Sequence, residues 1–129
     1  MEKVKKAVLI IEDNSLLTSL YSTGLKKEGL EVVIVHDGEA GLKAIEEHCP
    51  DIVLLDLSMP GIGGLDVLER IRRNPKTKNL KVIILTIGDR VDSGGDRKRA
   101  EDLGISDYLM KGDLHLNEIV KKVLFCLKG

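Results

Sequence analysis

The sequence predicts an α/β domain in which a doubly wound, five-stranded parallel sheet carries helices on both faces. Two observations carry this reading. Short aliphatic runs recur along the chain and are nearly continuous instead of alternating, as strands covered on both faces are. Between them lie segments with apolar residues at helical spacing, so strand and helix alternate from one end to the other.

The elements follow in order. Ala7–Ile11 is the first strand, and Leu16, Leu17, Leu20, Tyr21 and Leu25 make a helical stripe that Gly29 ends as a C-terminal cap. Residues 32–35 form the second strand; Asp37 caps a second helix on which Leu42 and Ile45 stand one turn apart. Residues 52–55 form the third strand. Leu65, Leu68 and Ile71 then repeat at helical spacing before Pro75 stops the third helix. Residues 82–85 are the fourth strand. The stretch 88–104 is highly charged, with Gly94 and Gly95 near its middle. It predicts a loop to about Gly95 and then a short, weakly held helix, with Val91, Ala100, Leu103 and Ile105 as its core candidates. Residues 108–110 are a shorter strand suited to an edge. Leu116, Ile119, Val120, Val123, Leu124 and Leu127 make the strongest amphipathic pattern in the chain, with Asp113 as its candidate cap.

Composition narrows the function classes. A length of 129 residues fits one domain spanning 1–129. With 43% apolar and 32% charged residues, the chain is neither disordered nor a membrane protein. A net charge of -1 argues against bulk attraction to nucleic acid or anionic lipid. Tyr21, Tyr108 and Phe125 are too few for a base-stacking platform. Cys49 and Cys126 lack metal-ligand spacing and read as packing residues with reduced thiols. The first apolar run ends at Glu12 and is too short for a signal peptide, so a soluble cytoplasmic protein is expected.

Ligands of open parallel sheets bind beyond the carboxyl ends of the strands. Glu12 and Asp13 follow the first run, Asp56 the third, Thr86 the fourth and Lys111 the fifth. Each alone is an ordinary polar residue where a strand meets water; together in one crevice they are a reactive set. Two carboxylates 5 Å apart repel by about 3 kcal/mol at an effective dielectric near 20. Oxygen donors without His or Cys suit a hard divalent ion such as Mg²⁺. Lys111 supplies a point charge for a phosphoryl oxygen, and the Thr86 hydroxyl supplies a donor. A metal, a carboxylate nucleophile and two donors describe phosphoryl transfer to an aspartate, with Asp56, on the central strand, as the nucleophile.

Glu12 and Asp13, the run Asp56-Leu57-Ser58-Met59-Pro60-Gly61, Thr86 and Lys111, in this order, resemble the receiver domain of bacterial two-component response regulators, including the chemotaxis-type single-domain regulators. The resemblance implies a flavodoxin-like sheet in order 2-1-3-4-5. It implies a phosphoprotein that is a signalling module and not an enzyme, taking a phosphoryl group onto Asp56 from a sensor histidine kinase or phosphotransfer protein. Asp13, Asp56 and the backbone carbonyl of Ser58 would ligate Mg²⁺, with Glu12 acting through a water. Lys111 would pair with the acylphosphate, Thr86 would bond it and swing inward, and Tyr108 matches the aromatic switch position. Tyr108 also fits an apolar edge position with a solvated hydroxyl. Gly61, Gly63 and Gly64 are expected to allow the tight turn after Asp56. The switched surface would bind a downstream protein or serve an output domain elsewhere, without nucleic-acid or membrane contact through this domain.

Two departures stand out. Gly112 follows Lys111 where the family has a cis proline, which loosens the aim of Lys111. Ile87 follows Thr86 where a small residue is usual, which predicts slower phosphorylation by small donors. Three other classes were weighed. A haloacid-dehalogenase-type aspartyl-phosphate phosphatase needs an acid where Ser58 stands. A flavodoxin-like flavin binder needs a phosphate loop where Glu12 and Asp13 would repel it. A pseudo-receiver that binds without phosphate is separated by labelling with a phosphodonor. The run Arg97-Lys98-Arg99 reads as a solvated face or as a patch for an acidic partner.

Overall fold

The computed structural model describes residues 5–57, 59, 61–86, 96–111 and 115–128. Strands β1 (Ala7–Ile11), β2 (Glu31–Val35), β3 (Ile52–Asp56), β4 (Lys81–Thr86) and β5 (Asp107–Met110) alternate with helices α1 (Ser15–Lys27), α2 (Gly38–His48), α3 (Gly64–Arg73), α4 (Asp96–Leu103) and α5 (Leu116–Lys128). The strands form one parallel sheet in the order β2-β1-β3-β4-β5. The predicted fold class and strand order are therefore observed, with β3 central and β5 at an edge.

Because successive side chains of a strand point to opposite faces, the sheet divides its residues between two cores. Val8, Ile10, Leu54, Ile83 and Leu85 pack with Tyr21 and Leu25 of α1 and with Ile119, Val120 and Val123 of α5. Leu9, Ile11, Val53, Leu55 and Ile84 pack with α2, α3 and Ala100 of α4. The double coverage explains the unbroken aliphatic runs.

Helix ends follow local chemistry. The Asn14 side chain accepts from the Leu17 N–H and Asp37 from the Ala40 N–H, which caps α1 and α2. Past α1, Gly29 has φ of 85°, its N–H bonds the Lys26 carbonyl, and the Leu30 N–H reaches Leu25. That is a Schellman ending, closed by Leu25 and Leu30 in one core. At α5, Glu118 Oε1 accepts from the His115 N–H, so His115 takes the cap position. The expected caps and core positions Asp113 and Val91 lie outside the described residues, as do Ile87 and Gly112.

Two expectations are corrected. Leu16 and Leu20 are exposed, and the buried face of α1 is Thr18, Tyr21, Ser22 and Leu25. The leucine run is wider than the face the sheet covers, and Thr18 can be buried because its hydroxyl donates to the Ser15 carbonyl within the helix. Cys49 does not pack inward. It is exposed and ends α2 in a left-handed conformation with φ of 46°. Cys126 is partly buried against the first core.

Candidate functional site

Register builds the site. Ile11 of β1 pairs with Leu55 of β3, so Glu12 and Asp56 emerge side by side one residue later. Asp56 pairs with Leu85, which places Thr86 at the adjoining end of β4, and the Lys111 N–H donates to the Thr86 carbonyl at 2.7 Å. Thr86 and Lys111 are thereby tied together through the backbone at the carboxyl edge of the sheet.

Glu12, Asp13 and Asp56 each bring one carboxylate oxygen within 4.8 Å of the others. Glu12 and Asp56 are each 1% exposed, while Asp13 faces solvent. Lys111 Nζ lies 2.6 Å from Glu12 Oε1 and 3.3 Å from Asp56 Oδ1. Apart from that ammonium, no polar partner reaches Glu12 Oε1 among the described residues. Glu12 Oε2 accepts from the Asn14 N–H at 3.0 Å, and the Glu12 carbonyl meets His36 Nδ1 at 3.0 Å.

Burial pushes the Glu12 carboxyl above its ordinary range, against the pull of Lys111 and the Asn14 N–H, and the Asp56 charge adds to the rise. Burial alone would lower the Lys111 ammonium. Its bond to Glu12 and the charges of Asp56 and Glu12 outweigh that and raise it. Burial likewise raises the Tyr21 phenol, which also feels the charges of Lys111, Glu12 and Asp56. An acid trio, two of whose members share one ammonium, with no His or Cys in the group among the described residues, fits a small hard cation.

The turn beyond Asp56 uses its glycines differently. Gly61 has φ of 80°, which favours glycine. At Gly64 a Cβ would come within 2.5 Å of the Asp56 carbonyl oxygen and 2.8 Å of the Leu57 Cα, so the amino end of α3 closes on the end of β3 only without a side chain. Gly63 shows neither need: its φ is -76° and nothing lies near its Cβ position. The expected Ser58 carbonyl lies outside the described residues.

Residues 8–124 match the family model of the response regulator receiver domain. The chain belongs to this family. The receiver is 33% identical over 124 residues to the uncharacterized transcriptional regulatory protein YkoG of Bacillus subtilis, a match covering 96% of this chain and 52% of YkoG. The chain thus spans about half the length of that relative. Its fold is similar to the receiver domain of the Francisella response regulator 1452, with a TM-score of 0.82 at 25% identity, covering 96% of this chain and 98% of the other. It is also similar to the Mn²⁺-bound form of response regulator Rcp1, with a TM-score of 0.75 at 29% identity, covering 92% and 88%.

The receiver contains contacts that periodicity does not reveal. Arg72 of α3 donates to the carbonyls of Leu103 and Gly104 at the end of α4 and to those of Thr77 and Lys78 before β4. On α4, Arg97 pairs with Glu101, Lys98 with Asp102, and Arg99 with Glu69 of α3. With each base matched to a carboxylate, the run resembles a solvated face more than a patch for an acidic partner. Tyr108 packs against the second core with the Arg97 guanidinium over its ring. Among the described residues, no helix is long and apolar enough to cross a membrane.

Proposed function

We propose that residues 1–129 form one cytoplasmic receiver domain whose Asp56 accepts a phosphoryl group from a phosphohistidine of a sensor histidine kinase or phosphotransfer protein. The P–N bond breaks, a bond from phosphorus to an Asp56 carboxylate oxygen forms, and the released imidazole takes up a proton. The single observation that carries this is the meeting of the Glu12, Asp13 and Asp56 carboxylates, two of which, Glu12 and Asp56, share the Lys111 ammonium. A buried carboxylate beside a fixed cation is suited to receive a dianionic phosphoryl group, whose charge then faces the lysine in place of the Asp56 carboxylate charge.

Asp13 and Asp56 would hold Mg²⁺ directly, with the Ser58 carbonyl as a third ligand and Glu12 through a water. The metal supplies charge neutralisation for the transferring phosphoryl. The similarity to a Mn²⁺-bound response regulator supports a divalent ion here. Lys111 and Thr86 are assigned to the phosphoryl oxygens. Thr86 and Tyr108 are assigned to the switch that alters the surface read by a downstream protein or an output domain. In this reading the domain is a signalling module with no separate substrate, nucleic acid or membrane to act on.

Intact-mass measurement after acetyl phosphate treatment tests the proposal. A single phosphoryl adduct is expected with Mg²⁺, and none with a chelator or in Asp56→Ala. An adduct that persists in Asp56→Ala moves the acceptor elsewhere; no adduct at all leaves a binding module.

A further inference from the structure

We propose that Arg97 is a positioning residue for Tyr108, holding its ring in the resting arrangement and so setting how readily the switch turns. This rests on the reading of Tyr108 as the switch. Tyr108 lies on β5, which among the described residues is an edge strand paired with β4, and its ring is partly buried against the second core. The Arg97 Cζ stands 4.9 Å from the centroid of that ring, within the range in which a cation is attracted to a π face. Glu101, one turn along α4, holds the Arg97 Nε at 3.1 Å and aims the guanidinium.

The other bases of α4 are engaged elsewhere, Lys98 with Asp102 and Arg99 with Glu69. Ala100 is the one residue of α4 buried among those described. The carboxyl end of the helix is tied down by Arg72 through the Leu103 and Gly104 carbonyls. The ring contact thus links the amino end of α4 to β5, so a departure of the ring loosens that link while the Arg72 clamp holds the other end. Arg97 is about half exposed (52%), so its attraction lies at the lower end of the cation–π range. That corresponds to about a two- to fivefold bias in the ring population, enough to tune a reversible switch and too little to lock it.

The chain has two tyrosines, and they lie in opposite cores, so 3-fluorotyrosine labelling yields two ¹⁹F resonances with Tyr21 as the reference for folding. In wild type, acetyl phosphate with Mg²⁺ should move the Tyr108 resonance. In untreated Arg97→Ala that resonance should already stand part of the way to the phosphorylated position, reflecting about a two- to fivefold larger switched population, with Tyr21 unmoved. Glu101→Gln, which keeps the guanidinium, should displace it less.

An Arg97→Ala spectrum identical to wild type before treatment, in a protein that does respond to phosphorylation, overturns the proposal. So does a Glu101→Gln displacement as large as that of Arg97→Ala. A wild-type Tyr108 resonance that ignores an adduct seen by mass overturns the switch assignment and this inference with it. Absence of any adduct overturns the phosphoacceptor reading, which is a separate failure.

Discussion

Glu12 Oε1 stands 2.6 Å from the Lys111 Nζ, nearer than Asp56 Oδ1 at 3.3 Å. The ammonium of the resting site is thus anchored first on the glutamate and only second on the candidate acceptor. The extra methylene of Glu12, relative to an aspartate, supplies the reach. The same carboxylate is fixed on its other oxygen by the Asn14 N–H.

Lys111→Met should therefore destabilise the fold, by about 3 kcal/mol near neutral pH, because it strands buried carboxylates without their cation. The Glu12 carboxyl is already raised above 4.5 by burial, and loss of the ammonium raises it further. Above 4.5 and below its folded value, the native chain then binds more protons than the unfolded one. Stability falls as pH rises through that window. Urea unfolding near pH 4 and near pH 7 should show a small loss at the first and a large one at the second. Equal losses at both would refute the electrostatic account.

Mg²⁺ should stabilise the protein, since a cation that binds the gathered acids has no equivalent site in the unfolded chain. At a free concentration a hundredfold above Kd the gain is about 2.7 kcal/mol. Thermal melts with Mg²⁺ and with chelator should differ in wild type and coincide in Asp13→Asn. A shift retained in that variant would place the ion elsewhere.

Gly64→Ala should be more damaging than Gly29→Ala. At Gly64 the new methyl meets the backbone of Asp56 and Leu57, which cannot step aside without moving the candidate acceptor. At Gly29 nothing lies within 4 Å, and only the left-handed φ of 85° is penalised, by about 1 kcal/mol. Stability and adduct formation should both fall in the first, and stability alone in the second. Matching phosphorylation in the two variants would remove the special role of Gly64.

Arg72→Gln should cost about 2 kcal/mol, from the loss of charge-assisted bonds to backbone carbonyls. Hydrogen exchange should quicken across residues 100–104, where the clamp holds the end of α4, and stay slow in β3. Uniform quickening across the chain would indicate global destabilisation instead.

The sheet was legible because burial on both faces leaves an unbroken aliphatic signature, as in Ile52 to Leu55, and the site because four of the five strand ends bring polar groups to a shared edge. Glu12, Asp13, Asp56 and Lys111 were found that way, and they do converge. The exposed Leu16 was misread because a leucine run carries no phase when it is wider than the covered face. Arg72 and Arg97 were invisible for a different reason. One spends its donors on distant carbonyls and the other on an aromatic face, and neither kind of contact leaves a period in the sequence. His115 as a cap was missed because imidazole is not a usual capping group, although Glu118 at the reciprocal position was a readable sign.

Every residue of β3 is buried, and the strand is gripped by β1 on one side and β4 on the other. Asp56 is its last residue, so the candidate acceptor is mounted on the least yielding rod in the molecule. New bulk and charge arriving there find no slack behind them. Whatever displacement they cause must run outward, toward the perimeter, where α4 is held by the Arg72 clamp at one end and the Arg97 contact at the other.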